Sequence, residues 1–127
     1  MTGDLPSTGL EHADGDLRIE AVRVSTGVYL VEPHGQADLH TAPALRESLS
    51  QAIDDGASVL VVDLGGVSFI DSMTLGVLLG AVKRLRPRGG QLRIVVTDPH
   101  VRRVFEITLL DRVFDLYGDR EQALERV

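Results

Sequence analysis

Apolar residues along the chain follow two patterns, one typical of β-strands and the other of amphipathic helices. They predict strands at 17–24, 28–33, 59–64, 91–96 and 112–117, and helices at 41–56, 72–85, from 98 and from 119. The predicted order is ββαβαβαβα. Because strands that alternate with helices pair in parallel and the first two strands form a hairpin, we expect an α/β fold with a mixed, mostly parallel sheet and about four helices.

Details of the pattern predict the surroundings of individual residues. Ser25-Thr26-Gly27 reads as the hairpin turn, and the strand alternation slips at Ala21, which indicates a bulge there. The run 59–64 is apolar throughout, as in a strand covered on both faces. The helix at 72–85 carries one stripe that we expect to be buried: Leu75, Leu78, Leu79, Val82 and Leu85.

The first sixteen residues lack this periodicity and are rich in Gly, Asp, Ser, Thr and Pro. We therefore expect a flexible N-terminal tail at 1–16 and one domain at 17–127. There is no cysteine, which excludes disulfides, thiol nucleophiles and cysteine-bound zinc. The formal net charge of −6 argues against nucleic acid or an anionic membrane as the partner. The N-terminus resembles no secretory signal, and we expect a cytoplasmic protein.

Functional residues are expected in the loops that follow parallel strands, here residues 35–41 and 65–72. Asp38 in the first loop could be a ligand, a base or a turn-forming residue, and the turn is the default. Asp63 and Asp71 bracket the second loop and raise the alternatives of a phosphoaspartate receiver or a metal site. The receiver's acidic pair and lysine are absent, as are hydrolase and nucleotide-loop motifs, so we interpret both aspartates as structural and expect neither catalysis nor a cofactor.

Ser72 opens the second predicted helix, at 72–85, and has two compatible interpretations. It could cap the helix by accepting a hydrogen bond from a free backbone amide, a contribution of about 1 kcal/mol. It could also be a phosphoacceptor, since a phosphate here would lie beside free amides at the positive helix end.

The helix face opposite the leucine stripe presents Met73, Val77, Gly80 and Arg84. An apolar, low-relief face with one cation is typical of a docking surface. The alternative is that another element of the fold covers this face, with the glycines allowing close packing. We favour docking.

Three stretches resemble the bacterial anti-sigma factor antagonists, whose fold is the STAS domain: "GQADLHTAPALR", "VVDLGGVSFIDS" with "LGVLLGAVKRLRPRGGQLRIV", and "VRRVFEITLLDRVFDLY". The resemblance covers residues 17 to 127 and implies a single STAS domain that regulates transcription, for example in a stress response. It implies that the unphosphorylated protein binds an anti-sigma factor, itself an ATP-dependent serine kinase, and so releases a sigma factor. It also implies that phosphorylation at Ser72 ends binding and that a metal-dependent serine phosphatase reverses it.

By the same resemblance, Asp38 and Thr41 lie near Ser72 and shape the kinase's docking site, and Asp71 presents the hydroxyl. The chain departs from the family pattern Asp-Ser-Ser-Gly-Leu-Gly at Met73 and Thr74, which makes Thr74 a secondary phosphoacceptor candidate. The alternative function is a STAS subunit of a lipid-transport ATPase complex. We expect a monomer or a weak dimer.

Overall fold

The computed structural model of the chain describes residues 12–14 and 17–126. Its helices and strands, in chain order, are β1 His12–Asp14, β2 Leu17–Ser25, β3 Val28–Ala37, α1 Ala42–Asp54, β4 Val59–Asp63, β5 Gly66–Ile70, α2 Ser72–Leu85, β6 Gln91–Val95, α3 Pro99–Ile107, β7 Asp115–Tyr117 and α4 Arg120–Ala123. Short 3-10 turns at Arg86–Arg88 and Leu110–Arg112 follow α2 and α3. The predicted alternation of strands and helices is confirmed, with two additional strands, β1 and β5.

All the strands belong to one mixed sheet with the order β1-β2-β3-β4-β6-β7, and β5 pairs with β3. β1, β2 and β3 pair antiparallel. The pairs β3–β4, β3–β5, β4–β6 and β6–β7 are all parallel. The predicted mixed, mostly parallel α/β sheet is therefore confirmed, and β4 lies at its centre as its continuous apolar sequence indicated.

The N-terminal part of the sheet differs from the sequence prediction in two places. β1 pairs with β2 within the predicted tail, and the rest of that tail, residues 1–11, 15 and 16, lies outside the described residues. The register irregularity between β2 and β3 falls between Arg23 and Ser25, so the bulge predicted at Ala21 is misplaced. Ala21 is buried and pairs with Val31, because the register of β2 and β3 runs without a shift through this position.

The two faces of the sheet are covered differently. Leu60 and Val62 of β4 belong to the main core, which includes Leu45 of α1, Leu78 of α2 and Phe105 of α3. The intervening Val61 packs on the other face in a small cluster with Leu30, Val95 and Ala123 of α4. Three helices thus cover one face, and the short α4 covers part of the other.

The predicted leucine stripe of α2 is buried except at Leu79, which is half-buried against the core. The last strand is shorter than predicted, since Leu110–Arg112 turns as a 3-10 helix before it. Phe114 follows that turn and packs edge-on against Phe105, with the ring centroids 5.6 Å apart. This contact explains the shortening, because Phe114 is drawn into the core rather than into the sheet.

β5 lies within residues that the sequence predicted to be a loop. β3 pairs first with β4, through residues 28–31, and then with β5, through residues 34–37. The chain turns from one strand into the next at Leu64-Gly65, where the Asp63 carboxylate accepts a hydrogen bond from the Gly65 amide at 2.8 Å. β5 therefore continues the sheet beside the second half of β3 and ends at Ile70, two residues before Ser72.

Candidate functional site

Asp71, and not Ser72, caps α2. Its backbone is extended, with φ −115° and ψ 179°, and its carboxylate accepts a hydrogen bond from the Thr74 amide at 3.0 Å. The predicted capping role of Ser72 is therefore wrong. The chain leaves β5 one residue earlier than the cap prediction required, which makes Ser72 the first residue of the helix. Ser72 is exposed, and its hydroxyl makes no hydrogen bond to any residue in the described part of the chain.

Thr74 cannot serve as the secondary phosphoacceptor that the sequence suggested. Its side chain is completely buried, and its hydroxyl donates a hydrogen bond to the Asp71 carboxylate at 3.1 Å. A kinase could reach this hydroxyl only if the first turn of α2 unfolded. The departure from the family pattern at this position thus reinforces the helix cap and leaves Ser72 as the accessible hydroxyl of the turn.

The register of β3 and β5 brings the two predicted site loops together. Ala37 pairs with Ile70, and the Asp71 amide donates a hydrogen bond to the Ala37 carbonyl at 3.2 Å. Asp38 and Ser72 follow these residues at the same carboxyl edge of the sheet. The structure thus accords with the expectation that the Asp38 loop lies beside Ser72.

Asp38 forms a turn, as its default interpretation predicted. Its carboxylate accepts hydrogen bonds from the amides of His40 and Thr41, at 2.9 and 3.2 Å. The Thr41 hydroxyl accepts from the Asp38 amide at 2.8 Å and donates to the Gln36 carbonyl at 3.1 Å. Thr41 is buried, so it shapes this loop from within and is not itself available to a partner.

Three large apolar side chains stand exposed around this edge, and we refer to them as the apolar rim: Leu39 at 57%, Phe69 at 49% and Met73 at 46% exposure. Met73 was predicted to face outward. Leu39 and Phe69 were missed, although an isolated leucine between Asp38 and His40 in a polar loop is a visible signal. Phe69 could be placed only once β5 was known, because a strand alternates its side chains between two faces.

The predicted outward face of α2 is only partly exposed. Val77 was predicted to stand on the exposed face, but it is buried, because α1 packs alongside α2. Gly80 is exposed as predicted. Arg84 is exposed but forms an ion pair with Asp54 of α1 at 2.6 Å, which ties the two helices together. The alternative in which another element covers part of the face therefore holds at Val77.

Asp63 is structural, as the sequence suggested, and its partner Arg120 was not foreseen. The Arg120 guanidinium contacts the buried Asp63 carboxylate through Nε at 2.9 Å and Nη2 at 2.8 Å, and Glu32 through Nη2 at 2.6 Å. Burial alone would lower the pKa of Arg120, but these hydrogen bonds outweigh it and raise the pKa. Sequence alone could not pair residues 57 positions apart.

Asp63 and Asp71 do not form a joint site. They lie at opposite ends of β5, and each carboxylate is engaged in its own hydrogen bonds. Among the described residues, no three His, Asp or Glu side chains come together as potential metal ligands. Within the same part of the chain, each helix falls short of the length and apolar character that a membrane crossing requires.

Comparison with known proteins agrees with this architecture. A model of the STAS domain matches residues 21–123. The chain is 30% identical over 99 residues to the anti-sigma F factor antagonist of Paenibacillus polymyxa, covering 77% of this chain and 85% of that one. It is 33% identical over 91 residues to the anti-sigma-B factor antagonist of Bacillus subtilis, covering 72% and 83%.

A crystal structure of an anti-sigma factor antagonist from Mycobacterium paratuberculosis superimposes with a TM-score of 0.74, at 30% identity and over 95% of both chains. Sequence and structure thus give the same assignment across nearly the whole domain. The chain belongs to the STAS domain family, among the bacterial anti-sigma factor antagonists.

Proposed function

We propose that the chain antagonises an anti-sigma factor and that phosphorylation of Ser72 switches this activity off. In the unmodified state it binds the anti-sigma factor and so frees a sigma factor. The anti-sigma factor is a serine kinase that transfers phosphate from ATP to Ser72, and a metal-dependent serine phosphatase restores the binding form. The chain is then a cytoplasmic binding protein, and the catalysis belongs to its partners.

One observation carries this proposal: the Ser72 hydroxyl is exposed at the first position of α2, beside the apolar rim. Asp71 supplies the cap, so the Ser72 hydroxyl is not needed to hold the helix. The exposed hydroxyl is accessible to a kinase, and the exposed apolar side chains around it supply the area that a protein partner would bury.

The same geometry supports control of partner binding by the charge of a phosphate on Ser72. A phosphate on Ser72 would add about 1.5 to 2 negative charges next to the Asp71 carboxylate. The backbone amides at the start of α2 would stabilise the phosphate in the free protein. In a complex, the dianion would have to be desolvated against the apolar rim, and burying a charge without a paired cation is costly.

The proposed partner surface consists of the apolar rim, Ser72 and the exposed part of α2 at Gly80 and Arg84. The neighbouring Asp38 and Asp71 contribute by shaping it, since their carboxylates are engaged by backbone amides. The surface is formed within one chain, so a monomer or weak dimer can use it.

The experiment is to incubate the purified chain with the anti-sigma factor kinase of its own organism and ATP, and to map the phosphate by mass spectrometry. Ser72→Ala is the matched control and should accept no phosphate. Ser68, four residues earlier and also exposed, is an internal comparison. Phosphate on Ser68 or elsewhere in the wild type, with Ser72 unmodified by an active kinase, would contradict the proposal.

The alternative of a lipid-transport subunit is tested by affinity purification from the same cells. Recovery of an ATPase with a membrane permease, and of no anti-sigma factor, would favour that alternative. We observe no feature in the described residues that favours it.

A further inference from the structure

A groove of about 180 Å³ runs between α1 and α2 below Ser72. Its floor is formed by the buried side chains of Leu49, Ile53 and Val77, and its α2 wall by Gly76 and Gly80. A Cβ atom added at either glycine would meet no other atom within 4 Å. The groove is therefore open space with an apolar floor.

The groove continues the surface that carries Ser72. Ser72, Gly76 and Gly80 follow one another at four-residue spacing, which places them on one face of α2 over a rise of about 12 Å. Both α1 and α2 begin at the carboxyl edge of the sheet, because each follows the end of a strand there. A partner seated on Ser72 thus has a direct path along the groove.

The size of the groove indicates what it holds. Pockets for small-molecule ligands usually occupy about 300 to 1,000 Å³, well above this volume. A single apolar side chain from a protein partner is a better match to a small, apolar and open space.

The charges at the groove indicate the chemistry of that partner. Arg46 lines it from the first half of α1, is exposed, and has no ion pair within the described residues. At the other end, Arg84 is already neutralised by Asp54 at 2.6 Å. The unpaired cation therefore lies toward the Ser72 end, where it would attract a carboxylate.

We infer that this groove is a second contact for the anti-sigma factor and takes a short apolar side chain flanked by a carboxylate. This inference rests on the proposed function and adds α1, through Arg46, to the interface. It gives the open glycines of α2 a role in recognition: they leave room for the partner's side chain.

The experiment measures the dissociation constant (Kd) of the anti-sigma factor for unphosphorylated variants by calorimetry. Gly80→Leu fills the groove, and we expect its Kd to rise about thirtyfold or more, the scale of a lost interface hot spot, at any salt concentration. Arg46→Glu should raise Kd about tenfold at low salt and less at high salt, because charge effects at an exposed rim are screened.

Arg103, exposed on α3, provides matched controls for both changes: Arg103→Leu and Arg103→Glu should bind like the wild type. Thermal unfolding shows that the variants are folded, and Gly80→Leu should be no less stable than the wild type, since leucine is a better helix former than glycine. Replacing the matching carboxylate residue of the anti-sigma factor by lysine should restore its binding to the Arg46→Glu variant.

The outcomes separate the two proposals. If the wild type binds no anti-sigma factor of its organism, the proposed function and the groove contact both fail. If the wild type binds and phosphorylation at Ser72 weakens it, while Gly80→Leu and Arg46→Glu bind normally, the groove contact is overturned together with the place of Gly80 on the partner surface, and the switch at Ser72 stands.

Discussion

The Asp71 carboxylate accepts hydrogen bonds from both the amide and the hydroxyl of Thr74, at 3.0 and 3.1 Å. This pair holds the first turn of α2 and leaves the adjacent Ser72 exposed. Because Asp71 caps the helix and Ser72 is the proposed phosphorylation site, the two roles can be tested by separate substitutions.

Removing the cap should destabilise the domain. Asp71→Ala leaves a backbone amide and the buried Thr74 hydroxyl without their acceptor, and we expect a loss of about 1 to 2 kcal/mol in the free energy of unfolding. Urea denaturation measures this loss. Ser72→Ala is the control and should lie within about 0.5 kcal/mol of the wild type. A larger loss for Ser72→Ala than for Asp71→Ala would show that the cap is misassigned.

The ion pair between Asp63 and Arg120 should contribute to stability. Arg120→Ala would leave the Asp63 carboxylate, only 9% exposed, without its cation, and we expect about 2 kcal/mol of destabilisation. Arg103→Ala removes an exposed arginine elsewhere and should change little. If both variants unfolded at the same urea concentration as the wild type, the ion pair would have no stabilising role.

Ser48 offers a stabilising substitution. Its hydroxyl is buried in α1 and has no hydrogen-bond partner among the described residues. Ser48→Ala removes this unsatisfied group and improves helix propensity, so we expect a gain of about 1 kcal/mol in the free energy of unfolding. Ser50→Ala, at a neighbouring half-buried position of the same helix, is the control for the change in helix propensity alone. A loss of stability in Ser48→Ala would mean that the hydroxyl is in fact bonded.

Tyr29 should make the domain sensitive to alkaline pH. Burial, helped by the hydrogen bond that its hydroxyl donates to the Asp55 carboxylate, raises the pKa of Tyr29 from 10.0 to about 12. Because the folded state retains the proton longer than the unfolded chain, the stabilisation is complete below pH 10 and is lost between pH 10 and 12. The difference in unfolding free energy between wild type and Tyr29→Phe should shrink over this interval. A constant difference would contradict this assignment.

Much of the fold could be predicted from local patterns. The continuous apolar run of β4 indicated its central place, and the hairpin turn at Ser25-Thr26-Gly27 joined β2 to β3 as expected. These features depend on side chains that are neighbours in sequence. β5 could not be predicted in this way, because its strand character comes from pairing with the second half of β3.

The site was predictable in location but not in detail. The alternation of strands and helices marked the two loops that carry Asp38 and Ser72, and the family resemblance implied that they lie close together, whereas the choice of Asp71 as the cap depends on where β5 ends. Val77 was misjudged because an apolar residue between two helices is buried only if the helices touch, and the pattern within one helix does not show that. The end of β5 and the burial of Val77 both depend on contacts between residues that are far apart in the sequence.

We propose above all that negative charge at Ser72 abolishes binding of the anti-sigma factor. The most direct measurement compares the Kd of the anti-sigma factor for the unmodified chain, for the chain phosphorylated stoichiometrically at Ser72, and for Ser72→Ala and Ser72→Asp. We expect Ser72→Ala to bind like the unmodified chain, the phosphorylated chain to bind about a hundredfold more weakly or worse, and Ser72→Asp to be weakened as well. Equal affinities for the phosphorylated and unmodified chains would contradict the account.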